Sequence, residues 1–264
     1  MREPIEIDGI RIALEDTGGD GPAVLFVHGL GGSRNTWATQ VLACREAGYR
    51  AIAYDQRGCG RSDKPNGPYS VELWAEDAER LLDALGVERA ALVGHSVGCM
   101  VGEHAAHRLG DRAWALAMLG GALRWRPESG PVFEERVKLA REGRMDEIAE
   151  MVTTTGLSER CRAERPGLAG LVRELFASND PAAYAECARA TAVAQMRDPA
   201  SLACPVLAFC GSEDPVAPPA AAAAIAEAAP HGETATVDGA AHWCTLEDPE
   251  GVNAILLPFL GRAA

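Results

Sequence analysis

No stretch of this chain approaches the roughly 20 apolar residues that cross a bilayer. Met1-Arg2-Glu3-Pro4 leads into Ile5-Glu6-Ile7-Asp8 with no apolar core of a secretory signal. Neither membrane association nor export is expected. Positive charge is also scarce, since 25 Lys and Arg stand against 38 Asp and Glu for a net charge of -13. A nucleic-acid surface needs a basic stripe to neutralise phosphates, so nucleic acid is not an expected partner, and the acidity is read as favouring solubility. Eight cysteines (Cys44, Cys59, Cys99, Cys161, Cys187, Cys204, Cys210 and Cys244) form no C-x-x-C pair and have no histidines at zinc-site spacing. They read as buried free thiols packing as small hydrophobes. A metal or redox centre is therefore not expected, and a reducing, cytoplasmic compartment is.

What is present is the balance of an ordinary globular protein, 47% hydrophobic and 24% charged over 264 residues, which suits one core carrying an insertion. Short apolar runs bounded by Gly and Pro alternate with helical patterns. Pro22 to His28, Arg50 to Asp55, Ala90 to Gly94, Trp114 to Leu119 and Pro205 to Cys210 read as buried strands. Val71 to Leu85 carries a helical apolar face that Gly86 ends, and the alanine-rich tract Pro218 to Ala229 reads as helix. The pattern predicts an α/β fold with a mostly parallel central sheet and helices on both faces. From Leu123 to Ala200 the strand runs stop. Val132 to Glu142, Met145 to Val152 and Leu168 to Ala177 look helical, and Asp180-Pro181 is a helix start. This stretch is expected to be a helical cap over the C-terminal edge of the sheet, where open α/β sheets bind ligands.

The segment Ala90-Ala-Leu-Val-Gly94-His95-Ser96-Val97-Gly98 runs from a strand through Gly-x-Ser-x-Gly into a helical run, the context a nucleophile elbow requires. Ser96 is expected at the exposed apex of a turn so tight that small residues must flank it. A serine needs a base, and the base needs an acid to fix its tautomer. Asp214, in Cys210-Gly-Ser-Glu-Asp214-Pro-Val, and His242, in Gly239-Ala-Ala-His242-Trp, follow in the order Ser, acid, His and belong on loops at the same sheet edge. Among the rivals, His95 adjoins Ser96 but is expected to point elsewhere, and His28 to brace its own loop. Glu213 competes for the acid, while Asp238, Glu247 and Asp248 read as surface carboxylates. Gly120-Gly121 occupies the place where some members of such folds put the acid. Two backbone donors must hold the oxyanion; Val97 supplies one and Leu30, in His28-Gly-Leu-Gly-Gly32, the other.

With these residues in view, the chain resembles the α/β-hydrolase superfamily of serine hydrolases over essentially its full length. His28-Gly29, Asp55-Gln-Arg-Gly-Cys-Gly-Arg-Ser62, the elbow, Gly211-Ser-Glu-Asp214-Pro-Val and Gly239-Ala-Ala-His242 match its signatures in order. The Asp214-Pro-Val-x-Pro-Pro stretch and the cap resemble bacterial 3-oxoadipate enol-lactonases and related lactonases and carboxylesterases. The resemblance implies a core of 1–122 and 201–264 with a cap of 123–200, and hydrolysis of a small-molecule ester or lactone without cofactor or metal. Carbon-carbon bond hydrolases and cofactor-free perhydrolases keep the same triad, and a non-catalytic ligand-binding protein is the reading of a different class. Oligomeric state is not legible. Leu123-Arg124-Trp125-Arg126 enters the cap above the proposed site, so Arg124, Trp125 and Arg126, with Trp243, are expected to contact substrate, the arginines as a carboxylate clamp.

Overall fold

The computed structural model describes residues 3–264. The chain begins with the short strands β1 (Ile5–Ile7), β2 (Ile10–Ile12) and β3 (Leu14–Asp16) and continues through β4 (Ala23–Val27), α1 (Ala38–Glu46), β5 (Arg50–Tyr54) and α2 (Val71–Ala84). The elbow joins β6 (Ala90–His95) to α3 (Val97–Leu109), and β7 (Ala113–Leu119) follows. Five helices come next: α4 (Ser129–Arg141), α5 (Met145–Gly156), α6 (Glu159–Glu164), α7 (Pro166–Ala177) and α8 (Pro181–Ala192). The chain then returns through β8 (Val206–Gly211), α9 (Pro219–Ala228), β9 (Gly232–Val237), α10 (Cys244–Glu247) and α11 (Pro249–Ala263).

Seven strands form one sheet in the order β3-β5-β4-β6-β7-β8-β9, with β3 antiparallel to β5 and every other pair parallel. Side chains alternate across it, as the two-residue period of a strand demands. Leu25, Leu92, Leu116 and Val206 pack under α2, α3 and α9, while Phe26, Val93, Ala117 and Phe209 pack against α1 and α11 with Trp37 and Phe259. Burial on both faces explains why these strands read as continuous apolar runs. Strands β1 and β2 lie outside the expected set. They form a hairpin about Asp8-Gly9, both at positive φ (47° and 75°), the turn that Asp-Gly between alternating apolar residues favours.

Five helices intervene between the neighbouring strands β7 and β8. Their apolar residues, among them Phe133, Ile148, Val172, Phe176 and Tyr184, join the same buried cluster as the underside of the sheet. At the root of the insertion Arg124 and Gln195 pair as an isolated antiparallel bridge, so the outgoing and returning chains lie side by side. Asp180 caps α8 by accepting from the Ala183 amide at 2.8 Å, and Pro181 occupies its first turn. Among the described residues no helix is long and apolar enough to cross a membrane.

Candidate active site

β6 delivers Ser96 to the sheet edge at φ 55°, ψ -123°, a conformation that residues bearing a Cβ seldom adopt. The close approach of α3 to the strands creates the strain. A Cβ on Gly94 would overlap the Gly98 carbonyl, and one on Gly98 would overlap the carbonyl of Val27, so glycine is required on both sides. The Ser96 amide donates to the Leu119 carbonyl at 2.9 Å, which ties the turn to β7. Ser96 is only 9% exposed, not the open apex expected from the turn. Gly29 stands against it so closely that a Cβ there would lie 3.0 Å from the serine Cβ.

Asp214 and His242 leave β8 and β9 at the same edge and meet as a buried pair, Nδ1 of the imidazole 2.8 Å from Oδ2. The other carboxylate oxygen, Oδ1, accepts from the Val216 and Ala217 amides at 2.8 and 2.9 Å. A carboxylate only accepts, so Nδ1 carries the proton and Nε2 keeps the lone pair a general base needs. Gly120, at φ 64°, packs against this pair: a Cβ there would lie 3.2 Å from Asp214 Oδ2 and from His242 Nδ1. Glu213, the competing acid, is exposed, with its amide on the Ala240 carbonyl, and its carboxylate makes no hydrogen bond to His242.

The loop after β4 is held from below. His28 Nδ1 donates to the Gly29 carbonyl at 2.8 Å, the Gly32 amide donates to the same oxygen at 3.0 Å, and the Gln56 amide donates to His28 Nε2 at 3.0 Å. His28 is thus neutral and buried, and burial lowers its pKa against the opposing pull of Asp55. This bracing leaves the Leu30 amide, and that of Val97 at the head of α3, without an acceptor among the described residues. From above, Asn179 Nδ2 donates to the Gly31 carbonyl at 3.1 Å.

His95 donates through Nε2 to the His242 carbonyl at 2.9 Å, which steadies that residue by its backbone. Its ring centre lies 4.8 Å from that of His242 and 4.7 Å from that of Trp243. Nδ1 is buried without a partner, and burial, aided by the neighbouring His242, pushes the imidazole down to about 3. Glu247 differs from its expected place on the surface. It is 8% exposed and accepts from the Ser158 amide, the Ser158 hydroxyl (2.7 Å) and the Ala241 amide (3.1 Å), joining the insertion to the His242 loop. Nothing local in the sequence separates it from Asp248, because its partners come from a distant segment.

The expected substrate residues scatter. Trp125 is half-buried, donates to the Thr191 carbonyl at 2.8 Å and leans on Phe133. Arg126 is exposed and reaches the Pro215 carbonyl at 2.8 Å, beside the acid. Arg124 is exposed on the outer side of its bridge with Gln195. Trp243 is 2% exposed, wedged beneath Gly156 and between the rings of His95 and Phe176. Trp125, Arg126, Phe133, Arg136, Pro215 and Ala241 help to line a cavity of about 610 Å³ that opens beside the Asp214–His242 pair. Its walls include the neighbours of Asp214 and His242 in sequence, Glu213, Pro215 and Ala241, but neither it nor a larger hollow of about 710 Å³ between α4 and α8 is lined by Ser96, Asp214 or His242 themselves. No group of three or more His, Cys, Asp or Glu stands ready for a metal ion among the described residues.

Comparison with known proteins agrees with this fold. A family model described as alpha/beta hydrolase fold matches residues 22–249. RutD of Escherichia coli, to which carbamate hydrolysis is ascribed, is 30% identical over 256 residues, covering 90% of this chain and 89% of that protein. Among solved structures, a thermophilic esterase from Thermogutta terrifontis superposes with a TM-score of 0.90 at 27% identity, covering 99% of this chain and 97% of that one. The enol-lactonase of Burkholderia xenovorans LB400 superposes at 0.89 and 28% identity, covering 97% and 98%.

Proposed function

Because the chain belongs to the α/β-hydrolase fold family, we propose that it is a serine hydrolase that cleaves a small-molecule carboxylic ester or lactone through an acyl-enzyme. One observation carries this reading: a serine held at positive φ on the elbow, at the sheet edge where a buried Asp–His pair is set in the tautomer of a general base. Ser96 Oγ attacks the carbonyl while His242 Nε2 takes its proton. The Leu30 and Val97 amides hold the oxyanion, and the protonated imidazole, balanced by Asp214, passes its proton to the leaving oxygen. A water activated by the same imidazole then releases the acid. The chemistry draws on no cofactor. The unit spanning 123–200 is read as the cap that selects substrate, and the eight buried free thiols support a cytoplasmic setting.

A second reading is carbamate cleavage, favoured by the likeness to RutD. The same groups would attack a carbamate carbonyl and protonate a nitrogen leaving group. A fluorophosphonate probe tests the shared mechanism, with labelling of the wild type and none of Ser96→Ala expected; an unlabelled, folded wild type would overturn it. Rates on p-nitrophenyl acetate, a small lactone and an N-aryl carbamate, the last read by release of the arylamine, then decide between the readings.

A further inference from the structure

Of the eleven arginines between 123 and 200, Arg141, Arg144, Arg173 and Arg189 each reach a glutamate, while Arg126, Arg160, Arg162 and Arg165 donate to backbone carbonyls. Arg136, on α4, does neither. Its Nε and Nη2 both donate to the hydroxyl of Tyr184, the first at 2.8 Å, and it forms no ion pair among the described residues. Its guanidinium carbon stands 5.9, 6.0 and 5.6 Å from the ring centres of Phe133, Phe176 and Tyr184. Three aromatic faces partly offset the desolvation of this half-buried cation, but they leave Nη1 and one edge of its fork without an acceptor.

Tyr184 is equally incomplete. It is 2% exposed, and its oxygen accepts from Arg136 while its own proton meets no acceptor among the described residues. Burial raises its pKa above the ordinary phenol value, so that proton stays in place at neutral pH. Two unspent donors of this kind match the two oxygens of a carboxylate, which arginine binds bidentately with charge-assisted bonds.

Location ties this pair to the chemistry. Phe133 and Arg136 line the same cavity as Glu213, Pro215 and Ala241, the immediate sequence neighbours of Asp214 and His242. Phe176 and Tyr184 press on the oxyanion loop: a Cβ on Gly31 would overlap Phe176 and lie 3.0 Å from Tyr184. The aromatic box therefore abuts the residue next to Leu30, so a carboxylate bound there would be separated from the reacting carbonyl by only a short chain. In a protein of net charge -13, an anion approaching from solvent is repelled beyond roughly the 8 Å Debye length, and a local cation must capture it.

We propose that Arg136 and the Tyr184 hydroxyl form a carboxylate subsite that selects half-esters or lactones of short dicarboxylic acids. This rests on the serine-hydrolase reading above and moves the clamp from Arg124 and Arg126 to α4. Its first test is the ratio of kcat/KM for mono-p-nitrophenyl glutarate to that for the neutral p-nitrophenyl butyrate. Arg136→Gln should lower the ratio about 10-fold or more, mainly through KM of the anionic ester. Arg136→Lys should recover part of the loss, and Tyr184→Phe should show a smaller fall. An unchanged ratio, with both esters slowed alike, would overturn the subsite and leave Arg136 a packing residue. The second test needs no turnover: calorimetric binding of monomethyl glutarate to Ser96→Ala, expected to vanish in Ser96→Ala/Arg136→Gln. Failure of Ser96→Ala to bind it, or equal binding by both proteins, refutes the subsite even if fluorophosphonate labelling has already refuted the hydrolase.

Discussion

Lowering the pH from 7 to 5 should destabilise the fold through His95 well before most carboxylates titrate. Its imidazole sits near 3 in the folded chain, against 6.5 for the free side chain, because burial disfavours the cation. Between those values the unfolded chain binds a proton that the folded chain refuses. Stability therefore rises with pH across this window and is lost as the pH falls below 6.5, at about 1.4 kcal/mol per pH unit. From pH 7 to 5 the loss integrates to about 2 kcal/mol, since the unfolded histidine is already partly protonated near 6.5. His28, also lowered by burial, adds a loss of the same sign. His95→Gln isolates the first contribution, because an amide nitrogen at the Nε2 position can still donate to the His242 carbonyl but does not titrate. Urea unfolding followed by circular dichroism at both pH values measures it. The wild type should lose about 2 kcal/mol more than His95→Gln, and equal losses would refute the assignment of His95 as a buried neutral group.

Ser96→Gly should abolish ester turnover yet melt about 2 °C or more above Ser96→Ala, because glycine relieves the positive φ at the elbow; equal melting temperatures would mean the turn stores no strain. Asp214→Asn should cut kcat by about 10³-fold or more by favouring the wrong imidazole tautomer, with Glu213→Gln mild, and the reverse order of damage in steady-state kinetics would move the acid to Glu213. Gly31→Ala should cost about 1–3 kcal/mol in urea unfolding, since it adds a Cβ at φ 73° where Phe176 already stands; a neutral result would show that α7 rides freely on the oxyanion loop.

Much of the core was legible because its strands are short, apolar and buried on both faces, so each announces itself locally. The Ser96 and Asp214 loops were legible for a related reason, since each follows such a strand; His242 follows the polar, largely exposed β9 and is placed instead by its order in the chain after the serine and the acid. The hairpin at Asp8-Gly9 was missed although its turn residues carry the signal, because three-residue strands give the alternation too little length. Arg136, Tyr184 and Glu247 escaped for a deeper reason. Their roles depend on which distant segments meet, as when Glu247 collects donors from Ser158 and Ala241. The helical pattern of the insertion reports which faces are apolar but not which of its arginines find an acceptor.

The placement of five helices between β7 and β8 also governs the timing of assembly. On a ribosome the chain up to β7 emerges first, with Ser96 and the oxyanion loop made but the far edge of β7 unpaired. All seven residues of that strand are buried in the finished sheet, and an unpaired apolar edge invites pairing with other chains. It stays open until the whole insertion has been synthesised and β8 arrives, at a sequence separation that slows folding. His242 appears later still, after β9. On the proposed reading the nascent chain therefore carries its serine well before its base, and activity waits on the segment that bears His242.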